Sequence, residues 1–206
     1  MSMLRLVATL VLAAVITDAA AARDRVFAKR EQRIVDQGCP AGSYSIVTSP
    51  DGSSLTVLFD RFAVEGNESN GGFARIACSM DIPLNLPAGY SLGVYAVDFR
   101  GYAKLEQKQR AALQVEYGTG SRNRSRRFSR DVRGAYDGDY VFSERLKGGF
   151  MKRMGCGSEA VLSFSAALTL VSKRGSTTGQ MVLDSVDGSP AGGLVFGLDL
   201  RKCNER

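Results

Sequence analysis

The chain has 206 residues and a formal net charge of +6, is 44% hydrophobic and 23% charged, and contains no histidine and no tryptophan. This composition predicts a single domain with a packed core and argues against a wholly disordered chain. The lack of histidine excludes Ser-His-Asp and Cys-His catalysis, HExxH zinc sites and histidine-ligated copper or haem iron, and we expect no cofactor and no metal.

Residues 1–22 have the three-part pattern of a secretory signal peptide. Arg5 precedes an apolar run at 6–16, and four alanines follow at 19–22. The run is shorter than the roughly 20 residues that cross a bilayer, although a buried helix or an anchor is the alternative. We expect cleavage near Ala22, no transmembrane segment, and a secreted, extracellular protein, or a periplasmic or cell-surface one if the source is bacterial.

Residues 23–37 are rich in charge and predict a basic tail or a pro-segment, and residues 38–206 a single β-sandwich domain. From Cys39 onward, apolar residues recur with a period of two, which is typical of half-buried strands. The clearest runs are 55–59, 76–86, 162–170 and 194–200, with another at 140–146 that Glu144 interrupts. Residues 103–113 allow either a short helix or a strand connection.

Turn residues such as Pro50-Asp51-Gly52 separate these runs. The spacing predicts an all-β fold, an antiparallel two-sheet β-sandwich of about ten strands. Four cysteines in an exported chain predict two disulfides. Three pairings are possible, and we favour Cys39–Cys78 with Cys156–Cys203 because each ties the start of one chain half to a later strand.

The most unusual segment is SRNRSRRFSRDVR at 121–133, in which six arginines accompany one acid, Asp131. Guanidinium groups bind sulfate, phosphate and carboxylate in a bidentate manner, so this segment is the candidate anion-binding site. In a strand, three of the arginines would share one face with Phe128; a solvated basic loop is the alternative. The candidate anion-binding residues are Arg122, Arg124, Arg126, Arg127, Arg130 and Arg133.

Acidic and aromatic side chains provide two further hypotheses. A facing pair of carboxylates would allow glycoside hydrolysis without histidine, although aspartates at turns mostly bind local backbone. Exposed rings would stack on sugars, although most rings of a β domain lie in the core. If the source is eukaryotic, Asn67 and Asn123 are glycosylation sites. The acids are Asp98, Asp137, Asp139, Glu144, Asp184 and Asp187, and the rings Tyr90, Tyr95, Phe99, Tyr102, Tyr136 and Tyr140.

Several motifs occur together in a fixed order: GCPAGS (38–43), SPDGSSLTVLFDRF (49–62), IPLNLPAGY (82–90), VDFRGYA (97–103), YDGDYVF (136–142), GCG (155–157), LDSVDGS (183–189) and LRKC (200–203). With them, the chain from about Gly38 to Cys203 resembles the secreted family of domain of unknown function 4360. The resemblance implies an exported, cysteine-linked, mostly β domain, and the arginine-rich segment departs from the family pattern. The family-motif surface candidates are Asp98, Arg100, Tyr102, Asp137, Asp139 and Tyr140.

Together these features favour a secreted, non-enzymatic protein that binds an extracellular or cell-surface ligand such as an anionic polysaccharide or glycan. Secretion makes intracellular nucleic acid a poor partner. The alternatives are a histidine-independent carboxylate enzyme acting on polysaccharide, and a structural or host-interaction protein that acts by protein contacts.

Overall fold

The computed structural model describes residues 27–28, 33–34, 38–66, 72–119, 125–146, 153–157, 159–183 and 192–203. The strands in these ranges are β1 Phe27–Ala28, β2 Arg33–Ile34, β3 Tyr44–Thr48, β4 Ser54–Phe59, β5 Ala63–Gly66, β6 Phe73–Asn85, β7 Tyr90–Leu105, β8 Gln109–Thr119, β9 Ser125–Arg133, β10 Tyr136–Arg145, β11 Met154–Gly155, β12 Ala160–Ser172, β13 Gly179–Val182 and β14 Gly193–Lys202.

These strands form two antiparallel sheets. The first, six-stranded sheet has the order β1–β6–β12–β8–β9, with β2 also paired to β6. The second, eight-stranded sheet has the order β3–β4–β14–β7–β13–β5, with β10 and β11 also paired to β7. The predicted fold class, an antiparallel two-sheet sandwich, is therefore confirmed; three of the strands are only two residues long.

One apolar core lies between the sheets, because alternate residues of each long strand point inward. In β6 the buried side chains are Cys78, Met80, Ile82 and Leu84, as the period of two predicts. Rings from the two sheets meet in the middle, where Tyr117 of β8 packs edge-on against Phe196 of β14 at 6.3 Å between centroids. The faces that carry these rings are the inner faces of the two sheets, and the opposite face of each sheet is therefore the outer one.

The ambiguous segment 103–113 is not a helix. It contains the end of β7, a turn closed by the Gln109 N–H donating to the Glu106 carbonyl at 2.9 Å, and the start of β8. The inward residues of β8 alternate strictly, so burial of Ala111 and Leu113 overrides the helical propensity of the local sequence.

Both favoured disulfides are present. Cys39 bonds to Cys78 in the middle of β6, with the two Cα atoms 5.4 Å apart, and Cys156 bonds to Cys203 after β14, with the Cα atoms 5.6 Å apart. One bridge therefore attaches to each sheet.

The predicted tail has two short paired pieces. Phe27–Ala28 pairs with β6 opposite Asn85 and Leu84, and Arg33–Ile34 pairs opposite Asp81 and Met80. Both pairings are antiparallel and lie on the edge of β6 that faces away from β12. The signal-peptide and processing predictions fall on residues outside the described ranges and stay predictions.

Candidate ligand-binding surface

The arginine-rich segment forms β9, the edge strand of the six-stranded sheet. Its described residues alternate between the core side and the outside, with Phe128 and Val132 buried. Arg126 and Arg130 share the inward side with Phe128, while Arg127 and Arg133 face outward. Arg126, Phe128 and Arg130 therefore share a face as expected, and this face is turned toward the other sheet, although Arg130 stays exposed at the sheet edge. Outside the described residues lie Arg122, Arg124, Asn67 and Asn123.

Arg126 belongs to a polar cluster between the two sheets. Its Nε donates to the Glu144 carboxylate of β10, and the Tyr117 hydroxyl donates to the other carboxylate oxygen at 2.6 Å. Burial, followed by the bond to Glu144, raises the pKa of Tyr117, so its hydroxyl remains a donor. Arg130 stacks over the Phe128 ring, 4.8 Å from its centroid. Arg126 therefore takes part in an internal ion pair, whereas Arg130 stays exposed beside the Phe128 ring.

A shallow trough runs across the outer face of the six-stranded sheet. It consists of two adjoining depressions of about 260 and 350 Å³, which share Glu116 and Ser165. The floor is made of the small β12 residues Ser163, Ser165 and Ala167 and of Gln114, Glu116 and Gly118 of β8, and β6 and β9 provide the two rims. On the rims and floor lie Arg75, Ser79, Asp81, Glu116, Gly118, Ser125, Arg127, Ser129, Ser163, Ser165 and Ala167.

One polar row crosses this trough from rim to rim. The register aligns Ser79, Ser165, Glu116 and Arg127 on neighbouring strands. The Ser79 hydroxyl donates to the Ser165 hydroxyl at 2.8 Å, and the Arg127 Nε donates to Glu116 at 3.0 Å. Hydrogen bonds from Ser125 and Arg127 lower the pKa of Glu116, so this acid is ionised at neutral pH.

Exposed cations stand on both rims of the trough. Arg75 of β6 makes no ion pair with any residue that the structure describes, and the outward side chain of Arg127 is 85% exposed. Only the Nε of Arg127 contacts Glu116, and a guanidinium has further N–H donors on its terminal nitrogens. The sequence did not indicate Arg75, because this residue lies far along the chain from the arginine-rich segment 121–133. For the floor, the alternation of Ser and Thr with apolar residues at 162–170 was the available sequence signal.

The family-motif residues lie on the eight-stranded sheet instead. Asp98 accepts hydrogen bonds from Arg100 and Arg145, each at 3.1 Å. Burial raises the pKa of Asp98, but hydrogen bonds from Ser143, Arg100 and Arg145 outweigh this and hold it below its usual value. Tyr102 donates to Asp137 at 2.5 Å, and this bond raises the pKa of the Tyr102 hydroxyl.

Tyr140 is a correction to the surface candidates. It is 4% exposed and faces the core, where its ring lies beside Gly101 and its hydroxyl donates to the Val182 carbonyl at 2.7 Å. The alternation along β10 is responsible, because Asp137 and Asp139 point outward while Tyr140 lies on the opposite, inward side of the strand. Of the other five motif residues, Asp137 and Asp139 are exposed and Asp98, Arg100 and Tyr102 are partly exposed.

Three of the candidate acids, Asp98, Asp137 and Glu144, take part in contacts with neighbouring side chains. Asp98 and Asp137 are both bound to donor side chains on an open sheet face, and Glu144 accepts from Tyr117 inside the sandwich. A general acid needs a raised pKa, whereas those of Asp98 and Glu116 are lowered. Asp184 and Asp187 are outside the described ranges.

Two further observations concern the described residues alone. They contain no group of three or more acidic or cysteine side chains placed to hold a metal ion. Within the same ranges, no helix has the length and apolar character needed to cross a membrane.

Comparison with known proteins gives three results. The model of the family described as Domain of unknown function (DUF4360) matches residues 34–203. An uncharacterized secreted protein of Arthroderma benhamiae is 28% identical over 153 residues, which are 74% of this chain and 62% of that protein. The chain therefore spans less than two thirds of the length of this relative.

The third result is a distant structural one. A solved structure of TmCBM61 in complex with β-1,4-galactotriose is 14% identical, with a TM-score of 0.28 over 84% of this chain and 89% of that one. At that TM-score the likeness is too distant to transfer any ligand.

Proposed function

The chain belongs to the family described as Domain of unknown function (DUF4360), and from that premise we propose that it is a secreted, non-enzymatic protein that binds an anionic extracellular polysaccharide. Export is supported by the signal-peptide pattern of residues 1–22 and by the secreted relative. The two disulfides suit an oxidising compartment.

The observation that carries the proposal is the trough of the six-stranded sheet. Its small β12 residues leave room for an extended chain and its serine hydroxyls donate and accept hydrogen bonds. Arg75 and Arg127 lie on opposite rims, in diagonal positions, because the register aligns Arg127 with Ser79 rather than with Arg75. Sugar hydroxyls and carboxylates are the groups that such an array of hydroxyls and guanidinium groups complements.

More positive charge lies farther along the same sheet, beyond the end of the trough that holds Arg75. The turn after β12 contributes exposed Lys173 and Arg174, and Lys108 and Arg133 lie on the adjoining strand ends. Since charges of one sign along a groove attract a polymer of the opposite sign, this end would strengthen the attachment of a polyuronate or sulfated chain at low salt.

The test is retention on immobilised polygalacturonate in a salt gradient. The variant Arg75→Gln/Arg127→Gln should elute at lower salt, with affinity reduced about tenfold, or roughly 1.4 kcal/mol. The control Lys104→Gln/Lys202→Gln removes the same charge from the other sheet and should change elution far less. Arg126 is left intact because its contact with Glu144 is internal.

Equal effects of the two double variants would show attraction by net charge alone and would refute a site in the trough. Absence of retention of the wild-type protein on polygalacturonate and on heparin would refute the anionic ligand itself.

A further inference from the structure

Tyr95 occupies an irregular position on the eight-stranded sheet, away from the trough. The ladder between β7 and β14 pairs Ala96 with Gly197 and then Val94 with Leu198, so Tyr95 has no partner on β14. An extra residue of this kind is a β-bulge, and bulges commonly redirect a side chain near binding sites. Here the bulge turns the Tyr95 ring across the neighbouring strand.

The ring lies face-down on Gly197. A Cβ atom built on Gly197 would be 2.8 Å from Cζ of Tyr95, 3.0 Å from Cε1 and 3.1 Å from Cε2. Nearly equal distances to three adjacent ring carbons mean that the glycine lies under the ring face rather than at its edge. Tyr95 is nevertheless 50% exposed, so its opposite face is open to solvent.

Two ion-pair clusters flank this ring. The strand register places Asp98 on one side of Gly197 and Asp199 on the other. Asp98 binds Arg145, as described above, and Asp199 accepts from Arg153 at 2.9 Å and from Arg201 at 2.8 Å. Carboxylate acceptors and guanidinium donors therefore stand on both sides of an exposed, supported ring.

We propose that Tyr95 is the stacking platform of a second site, which binds a pyranose ring of a neutral glycan. A pyranose presents an apolar C–H face that packs on an aromatic ring, and its rim of hydroxyls both donates and accepts hydrogen bonds. The Asp98 and Asp199 clusters supply both kinds of partner within one flat surface. This site is independent of the trough, because it lies on the opposite sheet and uses no residue of the arginine-rich segment.

The experiment is affinity electrophoresis of the disulfide-bonded protein in gels containing soluble β-glucan, galactomannan or xylan. Wild-type protein should be retarded by at least one of these polymers, and Tyr95→Ala should weaken that binding at least tenfold while Tyr95→Phe retains it. Gly197→Ala keeps the ring but lifts it from the strand, and it should also weaken binding. The matched control is Phe73→Ala, which removes a 56% exposed ring from the six-stranded sheet.

The outcomes are distinct. Wild-type protein that none of the neutral polymers retards, or Tyr95→Ala that binds as tightly as wild type, would overturn the proposal. Loss of binding in Phe73→Ala equal to that in Tyr95→Ala would also overturn it. Retention on polygalacturonate depends on other residues than binding to the neutral polymers. The proposal for the trough can therefore be refuted while the proposal for Tyr95 holds, and the proposal for Tyr95 can be refuted while that for the trough holds.

Discussion

Removing the Glu144 carboxylate should destabilise the protein more than any other exchange of an acid in the described part of β10. Glu144→Ala leaves the buried Tyr117 hydroxyl without its acceptor, which costs about 1–3 kcal/mol. The pair with Arg126 is partly solvated, so its loss adds only about 0.5–1 kcal/mol. The free energy of unfolding should therefore fall by roughly 1.5–4 kcal/mol.

The measurement is urea unfolding of the oxidised protein, followed by far-ultraviolet circular dichroism. With a slope of about 2 kcal/mol/M, a loss of 3 kcal/mol lowers the midpoint by about 1.5 M. Tyr117→Phe removes the hydroxyl itself and should cost only about 1 kcal/mol, because the Glu144 carboxylate keeps its contact with Arg126. Glu159→Ala, an exposed acid near β12, is the control and should stay within about 0.5 kcal/mol of wild type.

The double variant Tyr117→Phe/Glu144→Ala decides whether the hydrogen bond is responsible. If the two residues are coupled, the double variant loses about 1 kcal/mol less than the sum of the single losses. Strict additivity, or a Glu144→Ala protein as stable as wild type, would refute the reasoning.

Two other predictions concern the bridges and the acid response. Replacing Cys156 and Cys203 by serine opens a loop with a sequence separation of 47 and should lower the free energy of unfolding by about 4 kcal/mol, and a non-reducing peptide map should show Cys39 linked to Cys78 and Cys156 to Cys203. The lowered pKa of Asp98 means that its ionic contacts stabilise the fold above the unfolded-state pKa of about 3.9 and are lost as the pH falls below it. Stability of wild-type protein should therefore decline below about pH 4 more steeply than that of Asp98→Asn, and parallel pH profiles would contradict this assignment.

The sandwich was predictable because its long strands bury one face each. The buried faces of β6, β12 and β14 follow the alternation of residues such as Ile82, Leu168 and Phe196, which local sequence shows directly. The structure of segment 103–113 was not predictable in the same way. Its residues favour a helix when isolated, and they form strands only because β8 packs between β12 and β9. The disulfide pairing was chosen among three arrangements, and the sheets place the favoured partners together.

The orientation of the arginines needed the structure. Alternation assigns Arg126 and Phe128 to one face, but only the partner strands decide that this face is the inner one. The apolar residues Phe128 and Val132, which alternate with polar ones, were the sequence signal of this orientation, and both are buried. Glu144, which interrupts an apolar pattern, proved to be the inward acid that binds Arg126 and Tyr117. The trough depends on residues of four strands, and the Tyr95 platform on a bulge opposite a glycine; neither juxtaposition is visible in local sequence.

The placement of the two disulfides also determines how the fold would carry a mechanical load. A pull on the flanking segments reaches Cys39 and Cys203 and passes through the bridges to Cys78 and Cys156. Residues 40–77 and 157–202 are thus bypassed covalently, and only the segment 78–156 can be drawn out while the bridges last. Full extension of that segment is limited to roughly 270 Å. A domain attached to a polymer under tension would therefore yield through the segment that holds most of β6 and all of β7–β11, while β3, β4 and β14 remain unstretched.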